Sequence, residues 1–200
     1  MEFLVVSLIL AIIPGTGVIF TLSCAMTQGI RGALWGAVAG AIGVIPHLLA
    51  AGIGLSALLI AYPMIYDVLR ILGGAYLIWL AVQAWRHRQD RINIDPVRAS
   101  GAGMVVKGAM INLLNPKLTL FFVSFLPQFL PADDPNPSVT MGLMGLVLVA
   151  QTFVVFLVYG IAAARLAGTI CSRPRIMTAL QDSIAVMFAG LGLRVILGAR

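Results

Sequence analysis

The chain has 200 residues, of which 60% are hydrophobic and only 10% charged, with a mean hydropathy of +1.03. An ordinary soluble domain carries roughly 25% charged residues, so polar side chains here are too few to cover a water-facing globule and lipid is the expected solvent. The net charge of +6 falls in short segments between apolar runs and makes no extended basic face, which excludes nucleic acid as the expected partner.

Six apolar runs are long enough to cross a bilayer, at about 3–26, 34–61, 66–86, 107–130, 139–164 and 179–198. The first opens with Glu2 where a secretory signal would carry Lys or Arg, so it is expected to be a retained span. Near its middle stand Pro14, Gly15, Thr16 and Gly17. Proline removes a backbone donor and the glycines add freedom, which predicts a break. A half-helix restarting just after it would aim unbonded N–H groups and a positive dipole end into the membrane centre, an arrangement suited to a carboxylate.

The second run carries Gly32, Gly36 and Gly40 at steps of four, then Gly43, a spacing that lines one helix face for close backbone contact. Such a face serves contacts within one chain or between two, so a homo-oligomer is open. His47 follows Pro46 at mid-span. A neutral imidazole there can shuttle protons, and a histidine bonded to a nearby carbonyl is the structural alternative. The third run has Gly73 and Gly74 before Tyr76, and ends in a polar segment at about 87–106 that is too short to fold alone.

The fourth run, KGAMINLLNPKLTLFFVSFLPQFL, sets Asn112, Asn115, Pro116 and Lys117 into an otherwise apolar stretch. A lysine at mid-membrane costs about 2.5–3.5 kcal/mol on insertion scales and usually faces a bundle interior or a water-filled cavity. From either end of the run, snorkelling would have to bridge about 15 Å, beyond the reach of its side chain. Two amides and an ammonium beside a helix break could meet a carboxylate or pair with a freed carbonyl. The sixth run has Asp182 at its entry and Arg194 near its far end.

Six spans put both termini on one side. The other side receives Arg31, Arg86, Arg88, Arg91, Arg98, Lys107, Arg165, Arg173 and Arg175, nine of the thirteen Lys and Arg. By the positive-inside rule that side is cytoplasmic and the termini are outside. A shift of 102 residues lays Pro14 on Pro116 and Phe20 on Phe122. Three spans per half insert the halves in opposite senses, the arrangement of inverted-repeat transporters whose substrate sits near mid-membrane at discontinuous helices. The expected fold is therefore all-α and integral to the membrane, with six transmembrane helices as two inverted three-helix repeats. One transporter domain covers 1–200, with repeat 1 at about 1–90, a cytoplasmic loop at about 87–106 and repeat 2 at about 107–200.

The chain resembles the LysE/RhtB family of bacterial amino-acid exporters through IIPGTG in the first run, LRILGGAYLIWLAVQAWR in the third, KGAMINLLNPKLTLFFVSFLPQF in the fourth and LGLRVIL at the end. The resemblance implies a multi-pass inner-membrane secondary transporter that exports amino acids or related small solutes by proton antiport. It places the two proline-centred motifs on Pro14, Gly15 and Gly17, and on Asn115, Pro116 and Lys117. The family usually has Pro-Gly-Pro-Asn at the first motif and this chain has Pro14-Gly15-Thr16-Gly17, a departure that bears on which solute is carried. The expected substrate site is Pro14, Gly15, Thr16, Gly17, Asn112, Asn115, Pro116 and Lys117, with His47 and Lys117 as candidates for proton coupling and no cofactor. Two other classes are weighed against this. Thiol electron transfer would use Cys24 and Cys171, which have no paired spacing. A passive channel or metal exporter would want a ring of acidic residues or a His/Asp cluster, and the runs hold neither.

Overall fold

The computed structural model describes residues 2–12, 15–51, 63–86, 97, 99, 101–131, 134–170 and 174–197. Pro14 and Cys171 lie outside the described residues. Those described form helices and no strands: α1 (Glu2–Ile12), α2 (Thr16–Leu49), α3 (Pro63–Arg86), α4 (Gly101–Leu113), α5 (Pro116–Ser124) followed by a 3₁₀ turn (Leu126–Phe129), α6 (Pro137–Ile170) and α7 (Pro174–Leu197). Among them, Thr16–Leu49 and Pro137–Arg165 are long and apolar enough to cross a membrane. The pair Gly101–Leu113 and Pro116–Phe129, bent by 53° at its break, makes a third. Phe3–Ile12 and Ile71–Gln83 are shorter apolar helices.

Both expected breaks are present as gaps in helix. One helix ends at Ile12 and the next begins at Thr16; one ends at Leu113 and the next begins at Pro116. Among the boundaries that differ from the reading of the sequence, two bear on the site. The fourth run starts at Gly101 instead of Lys107, because residues 101–106 are Gly, Ala, Met and Val and continue the helix with no breaker. The expected gap between the first two runs is a bend inside α2, where Gln28 and Gly29 leave helical geometry and Gly29 takes φ 61°.

At that bend α2 folds back on itself. A methyl group placed on Gly32 would meet the Cys24 carbonyl, and one on Gly36 would stand 2.8 Å from Thr21 Cα. Residues 21 and 36 would be over 20 Å apart in a straight helix at about 1.5 Å per residue, so the two arms must run antiparallel in contact. The glycine series of the second run is thus divided among partners. Gly32 and Gly36 receive the first arm, Gly40 the Phe156 ring of α6, and Gly43 the α4 backbone at Ala109. In lipid, where apolar burial drives little helix association, such close contact is the main source of packing energy.

The second arm of α2 lies antiparallel on α6, with Leu48 against Gly145, Gly40 against Phe156 and Ala33 against Gly160. Helix α1 packs on α6, α4 on α2, and α3 on α7. In the last pair Gly74 and Gly192 meet backbone to backbone, since a methyl on either would come within 3.0 Å of the other's carbonyl oxygen. The largest apolar cluster is built around Phe121 and Phe122 of α5 and Phe125 just after it, which join Leu10 of α1, Leu48 of α2, Leu77 of α3, Leu148 of α6 and Phe188 of α7. Helix α5 is the wedge at the centre of the bundle.

Candidate functional site

The two helix breaks meet. A cavity of about 20 Å³, room for a water molecule, is lined by Leu10 and Ala11 from the end of α1, and by Gly15, Gly17 and Val18 at the start of α2. Asn112, Asn115, Lys117 and Leu118 close it from the second break, and Leu148, Thr152 and Phe156 from one face of α6. Of the residues singled out in the sequence, Gly15, Gly17, Asn112, Asn115 and Lys117 are brought together here. Thr16 and Pro116 are exposed and are not among the lining residues.

The breaks are finished differently. At the second, Asn115 is the N-cap of α5: its Oδ1 accepts from the Lys117 backbone N–H at 3.0 Å, and Pro116 takes the first helical position, where no N–H is needed. At the first, the N-cap of α2 is Gly15, in extended geometry and without a side chain to accept anything. The first bond of that helix runs from the Ile19 N–H to the Gly15 carbonyl, so the N–H groups of residues 16–18 have no carbonyl to bond within the helix. A helix end of this kind carries about half a positive charge.

Lys117 stands beside it. Its Nζ would be 3.3 Å from a methyl placed on Gly15, and it donates to the Leu10 carbonyl at 3.4 Å. The Tyr159 hydroxyl donates to the Ile12 carbonyl at 2.7 Å, and Gln151 Nε2 to the Leu4 carbonyl at 3.1 Å. Carbonyls that α1 cannot bond internally are thereby met by a cation and a phenol, the favourable partners for the negative end of a helix. The cavity thus has a positive edge, made by the start of α2 and Lys117, next to the negative end of α1.

Asn112 locks the two halves to each other. It is 1% exposed, its Nδ2 donates to the Gly40 carbonyl at 2.8 Å, and its Oδ1 lies against Gly17 where a methyl would collide. His47 does not line the cavity. It is buried one layer behind, with Nδ1 3.3 Å from the Gly43 carbonyl and Nε2 3.0 Å from Thr119 Oγ1, stacked on Phe122 at 5.9 Å between ring centroids. Thr119 Oγ1 in turn reaches the Asn115 carbonyl at 3.4 Å.

Sequence reasoning missed Leu148, Thr152 and Phe156. Their spacing of four puts them on one helix face, but α6 is apolar all round, and periodicity there does not separate a cavity face from a lipid face. Thr152 is the informative one of the three. Ser7, Thr21, Ser23, Thr27 and Thr119 each bond the carbonyl four residues back. Thr152 is 4% exposed, lines the cavity and makes no such bond among the described residues.

Residues 8–199 match the model of the family described as LysE type translocator. The chain belongs to that family. A LysE-type chain is a translocator and not an enzyme, and the thiol reading through Cys24 and Cys171 loses its ground; Cys24 itself is wholly buried between the α2 arms and α4. The chain is 31% identical to an uncharacterized membrane protein of Vibrio cholerae over 96% of its own length and 94% of the relative's. It is 30% identical to a homoserine/homoserine lactone efflux protein of Salmonella typhimurium, covering 95% and 92% of the two chains. With a leucine efflux protein of Klebsiella pneumoniae it shares 24% identity over 98% and 93%. No solved structure matches the chain significantly. The family match takes in both helix breaks and every residue of the cavity.

Proposed function

We propose that this LysE-type chain is a multi-pass inner-membrane secondary transporter that exports amino acids or closely related carboxylate-bearing solutes from the cytoplasm, by proton antiport and alternating access. One observation carries the reading: the start of α2, which has no side-chain cap, and the Lys117 ammonium face the same cavity. Pre-aligned N–H groups beside a cation form a site for an anionic oxygen group, and the adjacent carbonyl end of α1 is the natural neighbour for an α-ammonium. Gly15, Gly17, Asn112, Asn115 and Lys117 form the site, with Pro14 shaping the first break. His47 and Lys117 are the groups proposed to take up the proton.

The relatives named as efflux proteins for homoserine and for leucine support a small amino-acid-like solute. Opposed orientation of the two halves is supported by α2 and α6, which occupy matching places in chain order and lie antiparallel. The reciprocal packing of α1 on α6 and α4 on α2 supports it as well. Such an arrangement places a site at the repeat interface, from which each half could open to one side of the membrane in turn.

Counterflow in proteoliposomes is the test. Purified protein should exchange a labelled solute from a broad amino-acid panel and should accelerate net efflux when the receiving side is acidic. Lys117→Ala should lower exchange at least about tenfold, the effect of removing one buried charge-assisted contact. Silence across the panel would remove the exporter reading. Flux insensitive to the pH gradient would leave a uniporter or channel, and unchanged exchange by Lys117→Ala would reduce that lysine to a cap on α1.

A further inference from the structure

We infer that His47, Thr119 and Asn115 form a proton-responsive link, in which the charge on His47 sets the direction of the Thr119 hydroxyl and so the hydrogen bonding of the residue that caps the cavity half-helix. The inference rests on the proton-antiport reading and names Thr119 as the positioning residue through which the charge state of His47 acts on the site. It follows from counting protons on three contacts. His47 Nδ1 faces the Gly43 carbonyl at 3.3 Å, His47 Nε2 faces Thr119 Oγ1 at 3.0 Å, and Thr119 Oγ1 faces the Asn115 carbonyl at 3.4 Å. A carbonyl oxygen only accepts, so the first contact needs a proton on Nδ1. The third needs the single hydroxyl proton of Thr119 directed at Asn115. The hydroxyl oxygen then accepts in the second contact, which requires a proton on Nε2 as well.

All three contacts are hydrogen bonds at once only when both ring nitrogens are protonated. Loss of the proton from Nε2 leaves that nitrogen an acceptor. The Thr119 hydroxyl, keeping its own proton, turns from the Asn115 carbonyl to the ring. The other neutral tautomer would set a nitrogen lone pair against the Gly43 carbonyl and is disfavoured. Histidine is the side chain type that makes such a change between about pH 5 and 8.

The groups around the ring make hydrogen bonding the main compensation for its charge. Phe122 stacks on it from α5. Of the elements packed against this arm, α4 carries Lys107, α5 Lys117, and α6 Tyr159 and Arg165, while α2 itself has Cys24 and Arg31; none of the four contains a carboxylate. A positive His47 is therefore held by the Gly43 carbonyl and by the Thr119 hydroxyl. The second of these is tied to Asn115, whose side chain caps α5 and lines the cavity beside Lys117.

Two measurements test the link. Solute homoexchange without a gradient is followed from pH 5.5 to 8.5 in proteoliposomes. The wild-type rate should change about fivefold, the effect of one hydrogen bond. Thr119→Val and His47→Gln should flatten the profile while Thr119→Ser keeps it. A wild-type profile in Thr119→Val, or a flat wild-type profile with active exchange, would overturn the link and leave the exporter reading standing. No exchange at any pH would overturn both. The second measurement is independent of transport. The chain has two histidines, His47 and His87, so ¹⁵N NMR of the His87→Gln variant reports His47 alone. It should titrate to a neutral form protonated on Nδ1; a neutral form protonated on Nε2, or no titration between pH 5 and 9, would overturn the link.

Discussion

Gly17 is held to a hydrogen atom by what stands against it. A methyl group there would collide with Asn112 Oδ1 and approach the Phe156 ring to 2.9 Å, and both neighbours are buried. Gly17→Ala should therefore lower the melting temperature in detergent by an amount matching about 1–3 kcal/mol and should disturb exchange, since the atoms displaced line the cavity. Gly142→Ala is the contrast. Nothing lies within 4 Å of that methyl, and the substitution should leave stability unchanged or slightly raised, because alanine is the better helix former. If both variants melt alike, the packing around Gly17 is looser than drawn. Thr152 makes a different kind of prediction. Its side chain is buried, lines the cavity and makes no bond to its own helix among the described residues, so Thr152→Val should reduce any preference for a hydroxylated solute over its aliphatic analogue by about three- to tenfold, and Thr152→Ser should retain it. Counterflow competition between homoserine and norvaline reads that ratio directly. The sequence singled out Gly17 and Asn112 for breaking and for polarity, respectively. That they are mutual contacts, and that Thr152 belongs with them, depends on which face each helix turns inward.

Among the elements, α2 shows how much a local signal conveys. TQGIRG was legible as the end of an apolar run, since glycine and charge interrupt it. The backbone of Gly29, at φ 61° and ψ −141°, is one that side chains with a Cβ rarely adopt, and it is what lets Gly32 and Gly36 return onto Cys24 and Thr21. Gly29→Ala meets no steric neighbour within 4 Å, so its cost is purely conformational, about 1–3 kcal/mol. Thermal unfolding should show that loss although the site is remote, while the wild-type substrate preference is retained. The break before helix α5 was equally legible at Pro116, while the capping of that helix by Asn115 shows only in the structure. The wedge role of α5 was not legible, because three phenylalanines in an apolar run look the same facing lipid or facing five other helices.

For the whole molecule, the proposed six-span arrangement with nine of the thirteen Lys and Arg on the cytoplasmic side would put both termini outside. A C-terminal alkaline phosphatase fusion should therefore be active, and a green fluorescent protein fusion at the same point dark; the reverse pattern would overturn either the span count or the orientation. Composition and local chemistry by themselves determined that the chain is built for lipid, where its helices break and which polar residues stand at the breaks. These follow from properties of short segments: hydropathy over a run, a missing N–H at proline, the backbone freedom of glycine. Only the tertiary structure decided that the two breaks share one cavity, that Lys117 sits by the open start of α2, and that His47 reaches Thr119 seventy-two residues away. The reason is physical. In a soluble helix the polar stripe reveals the inward face, but in these helices both the lipid side and the packed side are apolar, so rotation about each axis is set by glycine contacts and buried hydrogen bonds between distant segments.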